Sequence, residues 1–330
     1  MAFAGFVQIA NGHPQWTGRV EPIESKLEEP LHWRTPRRIF VNSMSDLFHE
    51  NLTFEAIDRI FAMMALCPQH TFQILTKRAE LMHEYLTGPR REGCTSGYIR
   101  DYFQRPARYF PKLFNKLPLD NFAPLTWPLP NVWLGVSAED QQRADERIPW
   151  LLKTPAAVRF VSYEPALGPV HFERWLKGQC PQCHGFDDYC ADVALCETCQ
   201  GLNRLGIDWL IVGGESGPGA RPFDIAWARS AVAQCRDAGV AVFCKQLGAK
   251  PTQGNTNGNC HDPECTHPDC GWVRLPLKDR KGGDMAEWSP DLRVRLYPTE
   301  RQDHTEQRQP AVLGRQNATV CEPVGWETNK

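Results

Sequence analysis

The sequence contains no hydrophobic run long enough to cross a membrane. Its longest near-continuous apolar stretch, from Ile60 to Cys67, is far shorter than the roughly 20 residues that a membrane-spanning helix needs. The first residues, MAFAGFVQIANGHPQW, carry no basic segment ahead of their apolar residues, which makes them a poor secretion signal. We therefore expect a cytoplasmic protein.

An excess of charge of one sign is also missing. The chain has 37 Lys and Arg against 39 Asp and Glu, a formal net charge of −2, so no global charge draws it to nucleic acid or an anionic membrane. Its 42% of apolar and 23% of charged residues are ordinary for a globular protein. The 330 residues suffice for one large α/β core or two modest domains.

Cysteine, in contrast, is abundant, with 13 residues. Two CxxC pairs, Cys180 with Cys183 and Cys196 with Cys199, are separated by twelve residues. This spacing is typical of a structural Zn²⁺ site in which four thiolates occupy every coordination position. Four free thiols in an inserted segment are the alternative interpretation.

A second group of metal-ligating residues lies at 260–270, in an otherwise polar segment. We expect a second Zn²⁺ bound by Cys260, Cys265, Cys270 and one histidine, for which His267 is the candidate. A single shared site and free thiols remain open as alternatives.

Between Arg37 and Gln246, short apolar runs alternate with amphipathic stretches. Near-continuous apolar strands that alternate with helices predict a mostly parallel sheet covered on both faces. Six such strands with short turns favour a parallel βα barrel, complete or partial and of the TIM type, and a doubly wound open sheet is the alternative. The predicted domains are a lead-in at 1–36, the barrel at 37–298 and a disordered tail at 299–330.

Polar residues follow each predicted strand, and in such folds the carboxyl ends of the strands meet at the edge where ligands bind. A glycine-rich turn at 213–222 follows a strand and matches no common nucleotide-binding motif, and Arg221, near the start of the next helix, is a candidate for binding an anionic group. Solvated strand ends and a tight turn are the plain interpretation. The residues predicted to bind a substrate or cofactor are Ser43, Asp46, Lys77, Arg78, Glu139, Glu164, Gly213, Gly214, Glu215 and Lys245.

Two insertions interrupt the alternation, the cysteine segment at 178–204 and a basic, aromatic segment at 89–130. Between Pro89 and Lys116, seven positive residues stand against two negative ones and are interleaved with aromatic rings. Basic residues among aromatics suit single-stranded nucleic acid. An amphipathic helix that packs its aromatics on the barrel is the other interpretation, and it is the one we favour.

Several long motifs carry a family resemblance. The stretches RRIFVNSMSDLFH (37–49), TFQILTKR (71–78), NVWLGVS (131–137), IVGGESG (211–217) and KGGDMAEW (281–288) resemble a phage and prophage protein family of unknown function. The resemblance covers roughly Trp16 to Pro298. Members of that family carry an N-terminal three-cysteine motif of radical-SAM type on a βα-barrel-like body, which implies a [4Fe–4S] cluster and S-adenosylmethionine as cofactors.

The cluster-binding motif itself is missing from this sequence. The Cys-x₃-Cys-x₂-Cys that the resemblance leads us to expect ahead of Trp16 does not occur, and the first cysteine is Cys67. A misplaced start codon on a longer enzyme and a degenerate copy are the two explanations. We therefore expect radical-SAM chemistry only in a longer form that has the motif. A non-catalytic, zinc-stabilised nucleic-acid-binding accessory protein is the alternative function.

Overall fold

The computed structural model describes residues 7–10, 13–21, 23–42, 45–87, 128–176, 206–254 and 273–298. They belong to one compact unit, Met1–Pro298. In chain order the elements are β1 (Val7–Ala10), β2 (His13–Trp16), α1 (Glu24–Leu27), β3 (Arg38–Val41), α2 (Phe54–Ala65), β4 (Thr71–Thr76), α3 (Ala79–Thr87), β5 (Val132–Ser137), α4 (Gln141–Lys153), β6 (Val158–Tyr163), β7 (Trp209–Gly213), β8 (Phe223–Asp224), α5 (Ile225–Asp237), β9 (Ala241–Gln246), β10 (Pro251–Gln253) and β11 (Val273–Arg274).

The main sheet has six strands, all parallel, in the order β3-β4-β5-β6-β7-β9. Within this sheet, neighbouring strands follow one another in chain order. The sheet curls into a half-barrel. This sequential order rules out the doubly wound alternative, in which the strand order reverses partway across the sheet. The predicted mixed α/β class and parallel sheet are confirmed, with a half-barrel in the described residues instead of a closed ring.

The outer face of the sheet packs against the helices. Alternating side chains of β5, including Val132, Leu134 and Val136, join the large buried core with α2, α4 and α5. These helices begin where their sequences offer a cap. Thr53 caps α2 by accepting a hydrogen bond from the amide of Ala56 at 3.3 Å, as its position ahead of the helical pattern predicts.

The concave face carries a second buried cluster, formed by Trp133, Phe160 and Trp209. Gly135 lies in the same face, and a Cβ at this position would lie 2.4 Å from the ring of Phe160. Glycine therefore leaves the space that the Phe160 ring occupies.

Beyond β9, the chain returns along the sheet edge. The amide of Cys244 donates to the carbonyl of Val294, and the amide of Leu296 donates to the carbonyl of Val242, both at 2.9 Å. The indole Nε1 of Trp209 donates to the carbonyl of Leu296. The edge strand β9 is thus covered by residues 294–296, which pair its exposed backbone groups.

Two small sheets were not predicted. The strands β1 and β2 form an antiparallel hairpin within the predicted lead-in, and β8, β10 and β11 form a three-stranded sheet beside α5. Strands of two to four residues are too short to show a periodic pattern in the sequence. Within the described ranges, no helix is long and apolar enough to span a bilayer.

Candidate functional site at the carboxyl edge

Asp46, in the loop after β3, joins the ends of the first two strands of the main sheet. Its carboxylate accepts hydrogen bonds from the hydroxyl of Thr76 at 2.7 Å and from the amide of Lys77 at 3.1 Å. It also pairs with the guanidinium of Arg78 at 3.2 Å. Arg78 in turn holds Glu50 at 2.6 Å. Asp46 is therefore fixed by four partners, counting the amide of Phe48.

Glu139, directly after β5, is the most enclosed carboxylate at this edge. Its two oxygens pair with Lys77 at 2.6 Å and with Arg147 of α4 at 3.0 Å. Burial alone would raise the pKa of Glu139, but the hydrogen bond and charge of Lys77 and the charge of Arg147 outweigh it, so the pKa lies below its ordinary value. Glu139 is thus held as a carboxylate between two cations.

Glu164 and Lys245 connect the ends of β6 and β9. The ammonium of Lys245 lies 3.0 Å from a carboxylate oxygen of Glu164. The strand between them ends in Gly213, and a Cβ there would lie 3.3 Å from the Glu164 side chain. The missing side chain at Gly213 therefore lets Glu164 lie across the end of β7 toward Lys245.

Glu215, in the glycine-rich turn after β7, pairs with Arg221 at the far end of the same turn. The two carboxylate oxygens accept hydrogen bonds from Nε and Nη2 of Arg221 at 2.8 and 3.2 Å, which lowers the pKa of Glu215. Besides Glu215, the charge of Glu139 helps to raise the pKa of Arg221. The Glu215–Arg221 ion pair thus closes the glycine-rich turn from one end to the other.

We call the charged groups at the strand ends the carboxyl-edge rim. In three ion pairs of this rim the cation is more exposed than its carboxylate, whereas Glu50 is more exposed than its partner Arg78. The side chain of Lys77 is 58% exposed and that of its partner Glu139 is 10% exposed. The exposures are 54% for Lys245 and 16% for Glu164. They are 53% for Arg221 and 31% for Glu215. The rim consists of Asp46, Glu50, Lys77, Arg78, Glu139, Arg147, Glu164, Glu215, Arg221 and Lys245.

The loops behind the rim are tightly packed at glycines. A Cβ at Gly214 would lie 2.4 Å from the carbonyl oxygen of Leu247, and one at Gly248, where φ is +79°, would lie 2.7 Å from the carbonyl oxygen of Glu215. The amide of Ala249 donates to that same Glu215 carbonyl at 2.8 Å. The turns after β7 and β9 are therefore held against each other by backbone contacts that leave no room for a side chain.

A cleft of about 780 Å³ opens beside these two turns. We call it the basic cleft. The described residues that line it come from the turn after β7, the turn after β9, the first residue of β10, the last residue of β11 and the segment that follows β11. They are Gly217, Pro218, Gly248, Ala249, Pro251, Arg274, Leu275, Pro276, Leu277, Asp279, Arg280 and Lys281.

The structure thus places nine of the ten predicted binding residues at the carboxyl edge; Ser43 lies outside the described residues. The pairs Asp46–Arg78, Lys77–Glu139 and Glu164–Lys245 are in direct contact. Glu215 instead contacts Arg221, which the sequence interpretation offered as an anion-binding group. None of the charged rim residues lines the basic cleft.

Arg147 was missed by the sequence analysis. It lies on α4 between Ala144 and Ile148, which both belong to the buried face of the helix. An arginine on an otherwise apolar helix face is the signal that could have found it, because a buried guanidinium needs an anionic partner. Its guanidinium also donates to the carbonyl of Ser137.

All predicted zinc ligands lie outside the described residues, as do the insertion at 89–116 and the tail at 299–330. Within the part of the chain that the structure describes, no cluster of His, Cys, Asp or Glu is arranged to hold a metal ion. The three described cysteines, Cys67, Cys235 and Cys244, are buried, and burial raises the pKa of each thiol to about 12.

The acid sensitivity of the fold should depend on Glu139. Because its pKa is lowered in the folded state, its stabilisation is present above the unfolded pKa of about 4.3 and is lost as the pH falls through the folded pKa. We expect Glu139→Gln to lower the free energy of unfolding by about 1–3 kcal/mol at pH 7, and the difference from the wild type to shrink below about pH 4. Urea unfolding at both pH values measures this.

Glu146→Gln is the matched control, since this carboxylate pairs with Arg143 on the exposed face of α4. It should change the free energy of unfolding less than Glu139→Gln does. Equal effects of the two substitutions at pH 7 would show that the Lys77–Glu139–Arg147 contact does not stabilise the edge.

The fold and the site define a mixed α/β half-barrel with a charged site at the carboxyl ends of its strands. The chain belongs to the family described as protein of unknown function (DUF5131), whose model matches residues 3–315. Neither the curated proteins nor the solved structures include a match to it.

Proposed function

We propose that this chain binds an anionic organic ligand at the carboxyl-edge rim, and that it derives from a phage-type radical-SAM enzyme. The proposed binding of an anionic ligand rests on one observation, the exposure of Lys77, Arg221 and Lys245. Each is more than half exposed, while its carboxylate partner is largely covered. At these three pairs, a ligand that approaches from solvent therefore meets the cationic group first.

The carboxylates of the rim support these cations without using all their hydrogen-bond donors. An ammonium has three N–H donors and a guanidinium has five, so Lys77 and Arg221 can hold a carboxylate and an external anion together. The carboxylate partners also fix the direction of each long cationic side chain. These side chains therefore lose less conformational entropy when a ligand binds. The three cations come from the ends of β4 and β9 and from the turn after β7, so they span the curved edge.

Protection of lysines from acetylation tests this proposal residue by residue. We expect inorganic pyrophosphate to slow the reaction of Lys77 and Lys245 with acetic anhydride, as measured by mass spectrometry of digested protein. Lys26 of α1 is the matched control, because it is 65% exposed and pairs with Glu29, outside the strand ends. Equal protection of all three lysines, or none, would contradict an anion site at the rim.

The proposed descent is supported by the motifs that resemble the phage family and by the sequential order of the six parallel strands. The residues present do not fit the cluster of such enzymes, because the sequence lacks Cys-x₃-Cys-x₂-Cys and the described cysteines are buried thiols. We therefore assign no catalytic role to a cluster in this chain.

Anaerobic reconstitution with iron and sulfide should give no stable absorption near 400 nm and no cleavage of S-adenosylmethionine by the 330-residue chain. A longer version that supplies three cysteines ahead of Trp16 should show both, if the start codon is misplaced. Binding of four irons with cleavage by the printed chain would show that cysteines assigned here to zinc bind iron instead.

The alternative function, a zinc-stabilised nucleic-acid-binding accessory protein, is favoured by one sequence feature. Between Pro89 and Lys116, seven positive residues and two negative ones are interleaved with aromatics. Salt-dependent binding of single-stranded DNA or RNA, lost when Arg100, Arg105 and Arg108 are reversed in charge, would favour this alternative over the rim proposal.

A further inference from the structure

The basic cleft differs from the rim in how its charges are paired. Three cations line it, Arg274, Arg280 and Lys281, together with one anion, Asp279. Among the described residues, neither Arg280 nor Lys281 forms an ion pair, whereas Lys77, Arg221 and Lys245 of the rim each hold a carboxylate. Among its described lining residues the cleft therefore carries an excess of positive charge, three cations against one anion.

Asp279 offsets part of this charge, and its carboxylate is held in place by the backbone. It accepts hydrogen bonds from the amides of Lys281 at 3.0 Å, Gly283 at 2.7 Å and Asp284 at 3.0 Å. These bonds lower the pKa of Asp279 and shape the 279–284 turn that carries Arg280 and Lys281. The anion of the cleft thus has a structural role, and the two cations project from the turn it organises.

The walls of the cleft are held together by backbone hydrogen bonds. The amide of Leu275 donates to the carbonyl of Pro251, and the amide of Leu247 donates to the carbonyl of Gly282. Gly282, at φ +62°, lies so close that a Cβ there would be 2.6 Å from the carbonyl oxygen of Gly248. A cleft with walls fixed in this way loses little entropy when a ligand enters.

The composition of the walls indicates the kind of ligand. Pro218, Pro251, Leu275, Pro276 and Leu277 supply apolar surface, and the cations lie in the same cleft. A volume of about 780 Å³ is within the range of small-molecule sites and far exceeds the needs of a lone inorganic anion. The ligand should therefore combine an apolar, flat body with a compact anionic group.

We infer that the basic cleft binds a phosphorylated organic molecule of nucleotide size, with its phosphate held by Arg280 and Lys281 and its ring system against the proline and leucine walls. Guanidinium groups match phosphate oxygens in a bidentate manner, and an ammonium adds a point charge. Loops that follow the last strands of βα barrels are a frequent place for phosphate. The inference goes beyond the proposed function, because no charged rim residue lines the cleft.

Calorimetric titration with AMP and UMP, a purine and a pyrimidine nucleotide, tests the inference on the full chain. We expect binding of at least one of them, with adenosine or uridine about tenfold weaker or more, since they lack the phosphate. The double substitution Arg280→Ala with Lys281→Ala should raise the dissociation constant by about tenfold or more. Both side chains are exposed, so the melting temperature should be unchanged.

Two further variants separate this site from its surroundings. Lys278→Ala alters a lysine of the same segment that does not line the cleft, and it should bind the nucleotide as the wild type does. Lys77→Ala with Lys245→Ala alters the rim, which we propose binds anions of its own, and it should retain the binding that the Arg280 and Lys281 variant loses. Absence of binding by the wild type, or an unchanged affinity of the Arg280 and Lys281 variant, overturns the inference. Loss of binding only in the rim variant also overturns it, and leaves the proposed function standing.

Discussion

Protein purified without added metal should contain at least one zinc ion per chain, and Cys183→Ser should remove it and destabilise the fold. A closed site of four thiolates at Cys180, Cys183, Cys196 and Cys199 is the basis of this expectation. Structural zinc contributes on the order of 10 kcal/mol in small zinc modules, so the effect is expected to be large. Elemental analysis and thermal unfolding measure it.

Cys190→Ser is the matched control for this prediction. Cys190 lies between the two CxxC pairs and is not expected to be a ligand, so its substitution should retain the zinc and the melting temperature. A second zinc ion that is lost in Cys265→Ser would support the 260–270 site. Metal-free wild-type protein whose melting temperature does not change on chelation would refute the zinc sites.

Gly214→Ala is expected to destabilise the protein by about 3 kcal/mol and to lower its melting temperature by roughly 6–12 °C. The new Cβ would lie 2.4 Å from the carbonyl oxygen and 2.8 Å from the carbonyl carbon of Leu247. These backbone atoms cannot move freely, because the amide of Leu247 donates to Gly282 and the amide of Gly214 donates to Gln246. The substitution must therefore separate the turns after β7 and β9.

Gly219→Ala provides the comparison within the same turn. A Cβ at Gly219 would have no neighbour within 4 Å. The free energy of unfolding of this variant should therefore lie within about 0.5 kcal/mol of that of the wild type. Gly214→Ala should also weaken the protection of Lys245 by pyrophosphate. The displaced turn follows β7, and β7 pairs with β9, the strand that carries Lys245. Equal stability of the two variants would show that the close packing of these turns is not required.

The three longest helices, α2, α4 and α5, and the parallel strands of the main sheet could be predicted because each has a clear local signal, whereas α1 and α3 were not predicted. Thr71–Thr76 and Val132–Ser137 are short apolar runs that end in polar residues, and α2 follows a capping threonine. The alternation implied a parallel sheet, but the choice between a doubly wound sheet and a half-barrel needed the strand order. That order depends on long-range pairing, which no local pattern encodes.

The candidate site could be predicted in outline but not in its pairing. Residues after parallel strands must lie at one edge, which placed Glu139 and Lys77 together in advance. Their third partner, Arg147, comes from a helix face, and the exposure of Lys77 over Glu139 depends on side-chain packing that no local pattern encodes. The basic cleft was missed altogether, because Arg280 and Lys281 follow β11 in a segment without regular periodicity.

The most direct measurement of the central claim, an anion site at the carboxyl-edge rim, is the position of tungstate in crystals of this chain. Tungstate is a tetrahedral analogue of phosphate whose metal gives a strong anomalous signal. We predict an anomalous peak within hydrogen-bonding reach of at least one of Lys77, Arg221 and Lys245. Well-occupied tungstate elsewhere in the molecule, with no peak at these three side chains, would contradict the proposed function.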